Sequence, residues 1–508
     1  MRSGHQLQDY RCGGTTTRHP VAVGPLQPEP RKREHSDREL DTTAVAVNVS
    51  PRHAFGVNPA PDTSAAPPFL GVDPSATGCS SLGPYTVSGA APCRLPGLPI
   101  ASATVAHNPG RRLHGDPVYL DYAATTPVDP RIIEAMSQCL GRDGVFGNPA
   151  SRPHLFGREA SEAVEKARAQ VAGLIGADPG EIVWTSGATE SVNLAIKGLV
   201  HAASSSGGHV VTSSMEHRAV LDTCAHLESE GYEVTYVDPD SDGMVTPERI
   251  RSVLREETIL VSLMHVNNEV GTVTDVGAVG AVLRAQKTVL HVDAAQSAPR
   301  LPLDVRELGA DVVSLSGHKM YGPKGVGALY VRSTRPPRIE PQMHGGEQEH
   351  GLRSGTLPTH QIVGMGMAAQ LVRQRRTRDT ATARSLDRRL RERLDDIPQT
   401  SFNGNQEERV PGIVNVSFAC VDSEALMMAL REDVAISSGS ACTSARVESS
   451  HVLRALGVSD DAASSSVRFS LGRFTTEREV DRAAERVAEA VQTLRHLSPQ
   501  WSKPGSWC

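Results

Sequence analysis

The 508-residue chain is poor in aromatic residues, 4% in all, and has no strong charge of either sign: 52 Lys and Arg stand against 58 Asp and Glu, a net charge of −6. That mild acidity argues against a general nucleic-acid binder, which needs a basic face for phosphates. No stretch approaches the ~18 uninterrupted apolar residues of a membrane span. The eight cysteines, at 12, 79, 93, 139, 224, 420, 442 and 508, form no Cys-x-x-Cys pair. Their spacing fits neither a zinc site nor a disulfide framework, and points to mostly reduced thiols in an intracellular protein without an intrinsic metal. The N-terminus lacks the apolar core of a secretory signal.

What is present divides near residue 117. The first 117 residues hold 16 of the 34 prolines, several Ser/Thr/Gly clusters and the charge run EPRKREHSDRELD (29–41). With no helical or strand periodicity, such a segment buries too little apolar area to offset its ordering entropy, and is expected to be disordered or poorly ordered. A cytoplasmic location is expected. A mitochondrial matrix location is the alternative, on the strength of Arg2, Arg11 and Arg18, with the acids from Glu29 to Asp41 against it.

From residue 118 onward, short apolar runs alternate with helical patterns. EIVWTS (181–186), HVVTSS (209–214), EVTYVD (233–238), ILVSLMHV (259–266), TVLHVDAA (288–295), DVVSLS (311–316) and GALYVR (327–332) read as strands. Helical stretches at 157–175, 188–203, 218–230, 246–256 and 275–286 separate most of them. This pattern predicts a mainly parallel sheet covered on both faces, an α/β domain over 118–365. A long Arg-rich helix (365–396) opens a smaller α+β domain over 366–500. It holds the strand GIVNVSF (412–418) and helices near 423–431, 449–457 and 476–496. Residues 501–508 form a short tail.

Ligands of open α/β sheets gather at the carboxyl ends of the strands. Five strand ends deliver polar groups there: Gly187-Ala188-Thr189, Glu216-His217, Asn267-Asn268-Glu269, Asp293 with Gln296, and Ser316-Gly317-His318-Lys319. Singly, most have plain structural readings as caps, turn residues or satisfied histidines. Together they suit one chemistry. A helix N-terminus behind Ala188 and Thr189, with Ser316 and His318, suits a phosphate. Asp293 can hold a pyridinium nitrogen protonated, Gln296 can donate to a ring oxygen, and His217 can stack on a ring. Lys319 can form a Schiff base with an aldehyde. Phosphate, pyridinium, aldehyde and ring describe pyridoxal phosphate.

A second group lies in the smaller domain. Cys442 occupies a Ser/Gly-rich loop, SSGSACTSA (437–445), which is poor core material and suits a reactive thiol. Cys224, in a helix, and Cys420, at a strand end, read as structural. Arg468, in VRFSLGRFTT (467–476), can clamp a substrate carboxylate bidentately; a surface ion pair is its plain alternative.

Nine segments, in order, resemble the cysteine desulfurases, pyridoxal-phosphate enzymes of the class V aminotransferase group, and most of all the housekeeping type that serves iron–sulfur assembly. They are YLDYAATTPVDP (119–130), FGNPASRPH (146–154), TSGATES (185–191), MHVNNEVGT (264–272), HVDAAQS (291–297), SGHKMYGPKG (316–325), RSGTLPTHQIVGMG (353–366), SSGSACTSA and VRFSLGRFTT. The resemblance implies fold type I of the pyridoxal-phosphate aminotransferases and the conversion of L-cysteine to L-alanine and an enzyme persulfide. Selenocysteine lyase or another C–S lyase is the alternative. It implies that Lys319 bonds the cofactor and acts as general base, and that His217 stacks on the ring. Asp293 and Gln296 would hold the ring; Ala188, Thr189, Ser316 and His318 the phosphate. Thr356 would reach the phosphate of the other subunit of a homodimer. Asn268, counted also with the cofactor-binding residues, and Arg468 would bind the substrate carboxylate. Cys442 would accept the sulfur, pass it to an iron–sulfur scaffold or other acceptor, and transiently ligate a shared cluster. Two departures stand out. Glu347 and His350 replace a glycine and an arginine of the family pattern, which bears on the neighbouring loop or the dimer contact. The tail after LSPQW (497–501) is short, which argues against scaffold docking through it.

Overall fold

The computed structural model describes residues 116–204, 207–240, 243–438, 449–499 and 501. Residues 1–115 of the expected poorly ordered extension, Cys442 with its loop, and nearly all of the 501–508 tail lie outside the described residues.

In chain order the strands are β1 (Val118–Tyr119), β2 (Ile182–Thr185), β3 (His209–Ser213), β4 (Glu233–Val237), β5 (Thr258–Met264), β6 (Val289–Asp293), β7 (Val312–Ser316), β8 (Gly327–Val331), β9 (Thr400–Phe402), β10 (Ile413–Phe418), β11 (Val434–Ala435) and β12 (Ser466–Ser470). The helices are α1 (Pro130–Ser137), α2 (Leu155–Leu174), α3 (Ala188–Ala203), α4 (Arg218–Ser229), α5 (Pro247–Val253), α6 (Val276–Leu283), α7 (Thr359–Asp395), α8 (Ser423–Leu430), α9 (His451–Ala455), α10 (Asp460–Ser464) and α11 (Glu477–Leu497).

The seven apolar runs build one sheet in the order β2-β8-β7-β6-β5-β3-β4. Its pairings are parallel except that β8 runs against both neighbours, β7 and β2. The expected α/β class with a mostly parallel sheet is what the chain adopts. The runs are apolar at nearly every position because both faces are covered, and alternate residues serve alternate faces. Trp184, Val211, Val261, Leu263, Val313 and Leu315 enter the core beneath α2, α6 and the first part of α7. Their neighbours Val183, Val210, Leu260, Val312 and Leu329 enter the core beneath α3 and α4.

A further core forms around the antiparallel sheet β12-β10-β9. It takes in Val118 and Leu120 from the start of the described chain, because β1 pairs in parallel with β11. α7 belongs to both regions. Ile362, Met365, Ala368 and Val372 pack under the large sheet, whereas Leu386, Leu390 and Leu394 enter the smaller core. The helix starts at Thr359, six residues before the expected 365. Gly364 and Gly366 obscured that start, since glycine costs about 1 kcal/mol in a helix interior. Contact requires them here: a Cβ on Gly366 would lie 2.6 Å from the Ala167 backbone of α2. The elements that went unforeseen are α1, α10, β1 and β9; the last three, at two to five residues, are too short to show periodicity. No described helix is long and apolar enough to cross a membrane. Cys139 and Cys224 are buried and free, whereas Cys420 is disulfide-bonded, an exception to the expectation of mostly reduced thiols.

Candidate active site

SGHKMYGPKG forms a tight turn at the end of β7. Ser316 is the last strand residue, and Gly317–Lys319 make one 3₁₀ turn. Leu315 and Met320 are fully buried on either side and anchor it. Gly317 is needed by contact, because a Cβ there would meet the Pro323 carbonyl oxygen at 2.9 Å. The turn thus holds Lys319 half-buried at the rim. Its Nζ donates to the carbonyl oxygen of Ala123, from the LDYAATTPVDP segment.

The same carbonyl receives the Gln296 Nε2–H at 2.8 Å, so Lys319 and Gln296 converge on one acceptor. Asp293 ends β6, next to β7, and among the described residues accepts a single hydrogen bond, from the Ala295 N–H at 2.9 Å. Burial pushes its carboxyl pKa up, while the Ala295 N–H and the charges of His217 and Lys319 act to lower it. Burial pushes the His217 pKa down, Asp293 opposing and Lys319 reinforcing. These three groups sense one another. His217 is also the N-cap of α4: its Nδ1 accepts the Ala219 N–H at 3.0 Å. A nitrogen that accepts carries no proton, so the neutral ring bears its hydrogen on Nε2. Capping and orientation are one act.

Ser316 pairs in register with Gly327, whose other neighbour across the sheet is Thr185. Ser316 therefore faces the start of α3, where Ala188 and Thr189 follow Gly187. A Cβ on Gly187 would meet nothing within 4 Å. The Ser316 Oγ is buried and has no hydrogen-bond partner among the described residues. His318 Nδ1 lies 3.2 Å from Thr125 Oγ1, and burial, with Lys319 and Lys324 beside it, lowers its pKa to about 4. The rim thus offers an open phosphate cradle at a helix N-terminus, an orphaned hydroxyl, a buried carboxylate with one bond, and an amine. These fit a phosphorylated, protonated pyridine carrying an aldehyde.

Other strand-end groups serve structure. Glu216 turns inward and accepts the Met264 N–H at 2.8 Å. Asn267 binds the Glu269 and Val270 N–H groups through its side-chain oxygen. Asn268 presents its carbonyl oxygen to Arg468 NH1 at 2.9 Å. Arg468 is 6% exposed and its NH2 pairs with Asp121 at 2.9 Å, so the pair is buried rather than superficial. Ser437 Oγ also donates to Asp121, at 2.8 Å.

Thr356 stands apart from this rim. It is exposed and lines a cleft with Asn148, Pro149, Ala150 and Arg152 and with Glu347–His350. Glu347 and His350 both adopt left-handed backbone, φ 55° and 60°, where glycine is the easy residue. Between them Glu349 is buried and forms a two-pronged pair with Arg168, both contacts at 2.8 Å, while accepting the Trp184 N–H at 2.8 Å. Cys442 lies outside the described residues.

Asp121, Ala123, Arg300 and Glu349 went unforeseen as contributors. Asp121 and Ala123 stood inside a quoted motif, and Arg300 stands four residues after Gln296, a helical spacing. Glu349 has no local signal, since its partners are 165 and 181 residues away.

A family model for aminotransferase class V matches residues 118–483. The chain belongs to that family. It is 57% identical over 385 residues to a protein named cysteine desulfurase IscS from Aeromonas hydrophila, a match spanning 76% of this chain and 95% of that relative. Its identity to the protein of that name from Tolumonas auensis is 58%, with the same coverage. These relatives place it in the cysteine-desulfurase branch. Among solved structures it resembles a NifS-like protein, with a TM-score of 0.69 at 35% identity, covering 74% of this chain and all of that one. It also resembles SspA in complex with cysteine, with a TM-score of 0.62 at 39% identity, covering 71% of this chain and all of that one. Those neighbours share its mostly parallel sheet.

Proposed function

We propose that this chain is a pyridoxal-phosphate-dependent L-cysteine desulfurase that forms L-alanine and a persulfide on Cys442. The observation that carries the reading is the convergence of Lys319, Gln296, Asp293 and His217 on one rim, in a chain 57% identical to named cysteine desulfurases.

Bound there, pyridoxal phosphate would supply an aldehyde for amines and an electron-withdrawing ring that stabilises negative charge at a substrate α-carbon. The chain's residues do the rest. Asp293 would accept the ring N–H, gaining the cationic partner its burial calls for. Gln296 would donate to the ring oxygen. Ala188 and Thr189, with Ser316 and His318, would hold the phosphate, and Thr356 of the partner subunit would reach it in a homodimer. The neutral His217 ring would lie over the cofactor. Lys319 would hold the cofactor through Nζ and take the substrate α-proton at that same atom. Asn268 and Arg468 would hold the substrate carboxylate, with Asp121 steadying the guanidinium. The Cys442 thiolate would attack the substrate sulfur: an S–S bond forms, the C–S bond breaks with its electron pair left on the carbon side, the β-carbon takes up a proton, and alanine leaves.

An iron–sulfur scaffold or another thiol acceptor would receive the sulfur, with Cys442 a transient ligand of a shared cluster. We read residues 118–365 as the cofactor-binding portion and 366–500 as the portion carrying the acceptor thiol. The bacterial relatives support a cytoplasmic setting.

The test is a single turnover with L-cysteine and no reductant, comparing wild type with Cys442→Ala. Alanine plus one extra sulfur mapped to Cys442, both lost in the variant, is the expected result. Pyruvate, or alanine formation indifferent to the substitution, would move the reading to a C–S or selenocysteine lyase.

A further inference from the structure

Arg300 stands one helical turn after Gln296. The chain beyond β6 winds into turns there, with Ala298 N–H donating to the Ala294 oxygen at 2.9 Å and Leu301 N–H to the Ser297 oxygen at 2.8 Å. Residues four apart on such a turn face one another. Arg300 NH1 accordingly donates to Gln296 Oε1 at 2.7 Å and to the Gln296 backbone oxygen at 3.1 Å.

This contact has a directional consequence. A guanidinium has five donors and no acceptor, so the amide end facing it has to be the oxygen. The nitrogen then faces the other way, where it donates to the Ala123 carbonyl. A side-chain amide nitrogen has two hydrogens. One serves Ala123 and the other is left for a ligand at the rim. Without Arg300 the amide can turn over, and would present an acceptor where a donor is needed.

Among the described residues none of the hydrogen bonds of Arg300 goes to a carboxylate, so this half-buried cation is left without a charged partner. Burial, with Arg468 adding repulsion, lowers its pKa to about 10. It lines one cavity with Lys319, Thr126 and Tyr321.

We propose that Arg300 is a positioning residue: it locks the Gln296 amide so that its N–H meets the ring oxygen of pyridoxal phosphate. This rests on the cofactor reading given above. The full-length protein, stripped of cofactor, is titrated with pyridoxal phosphate, following intrinsic fluorescence and the absorption band of the bound cofactor. Variants are Arg300→Met, Arg300→Lys, Gln296→Met and the Arg300/Gln296 double variant. Arg300→Met is expected to weaken binding roughly tenfold, the scale of one hydrogen bond to a charged group, and to shift the absorption band, because the ring oxygen loses its donor. Arg300→Lys, which still only donates, should restore the band and most of the affinity. The double variant should bind no more weakly than Gln296→Met, as expected when one residue acts through the other. Should Arg300→Met not fold, Arg300→Gln carries the same expectation, since its amide no longer dictates which end Gln296 presents. An unshifted band with wild-type affinity in Arg300→Met, or additive losses in the double variant, would overturn the proposal. Wild-type protein that takes up no pyridoxal phosphate would instead sink the cofactor reading.

Discussion

The interior of the large sheet and its carboxyl rim use the same residue types to opposite ends. His291, in the middle of β6, has Ser262 Oγ at 2.8 Å on one ring nitrogen and Ser314 Oγ at 2.9 Å on the other. His209 in β3 lies between the hydroxyls of Thr258 and Thr235, both at 2.9 Å. Every polar atom in these triads has a partner, which buried groups require. A few ångströms along the strands the rule lapses. Among the described residues Ser316 Oγ has no partner, Asp293 accepts one bond, and His217 commits one nitrogen to its cap. The triads complete themselves, whereas the incomplete groups at the rim are the ones that the cofactor reading would engage.

Lys319→Ala should break the rim and spare the interior. Alanine formation is expected to fall by roughly a thousandfold, within the range for loss of a general base, while the melting temperature of the cofactor-free protein stays near wild type. A large loss of melting temperature would make Lys319 a structural residue. Glu349→Ala tests the interior logic at an ion pair. It removes the buried partner of the Arg168 guanidinium, which keeps only the exposed Glu165 carboxylate and the Ile182 carbonyl, and should cost about 3 kcal/mol in urea unfolding; a loss under about 1 kcal/mol would mean that Glu165 or water compensates Arg168. His291→Leu leaves two serine hydroxyls unpaired and should cost about 2 kcal/mol, with the turnover of folded enzyme close to wild type.

The same histidine sharpens the contrast through pH. Burial lowers the His291 pKa from 6.5 to about 3. Between those values the unfolded chain binds a proton that the folded chain refuses, so stability falls as pH drops through that window. Melting curves at pH 5 and pH 7 should therefore differ less in His291→Leu than in wild type. An unchanged difference would mean that His291 takes up its proton in the folded state. The smallest effect is expected for Asp121→Asn, which keeps the shape but removes the charge facing Arg468. KM for L-cysteine should change by about fivefold, on the scale of one partly compensated ion pair, with kcat little altered. A kcat loss without a KM change would place Asp121 in the chemistry instead.

Much of this was legible beforehand because it is local. Seven apolar runs bounded by turn residues reveal the strands, and β-strand ends followed by Lys319, Asp293 or His217 reveal the rim. Arg468 was legible as a residue but not as a partner. Its bonds reach Asp121 and the Asn268 carbonyl, 347 and 200 positions away. α7 was legible as a helix but not from its true start, because its two glycines are explained only by the helices they touch.

The sequence by itself determined the α/β alternation, the family and the identities of the rim residues, since strand periodicity, turn chemistry and motif spacing all act within some ten residues. The tertiary structure alone decided how those residues are aimed. The Ala123 carbonyl that gathers Lys319 and Gln296, the Arg168 cation beneath Glu349 and the strand that carries Val118 into the C-terminal core all join segments far apart in the chain. Burial then sets which of these polar groups are saturated and which are left open, and burial exists only once the layers have packed.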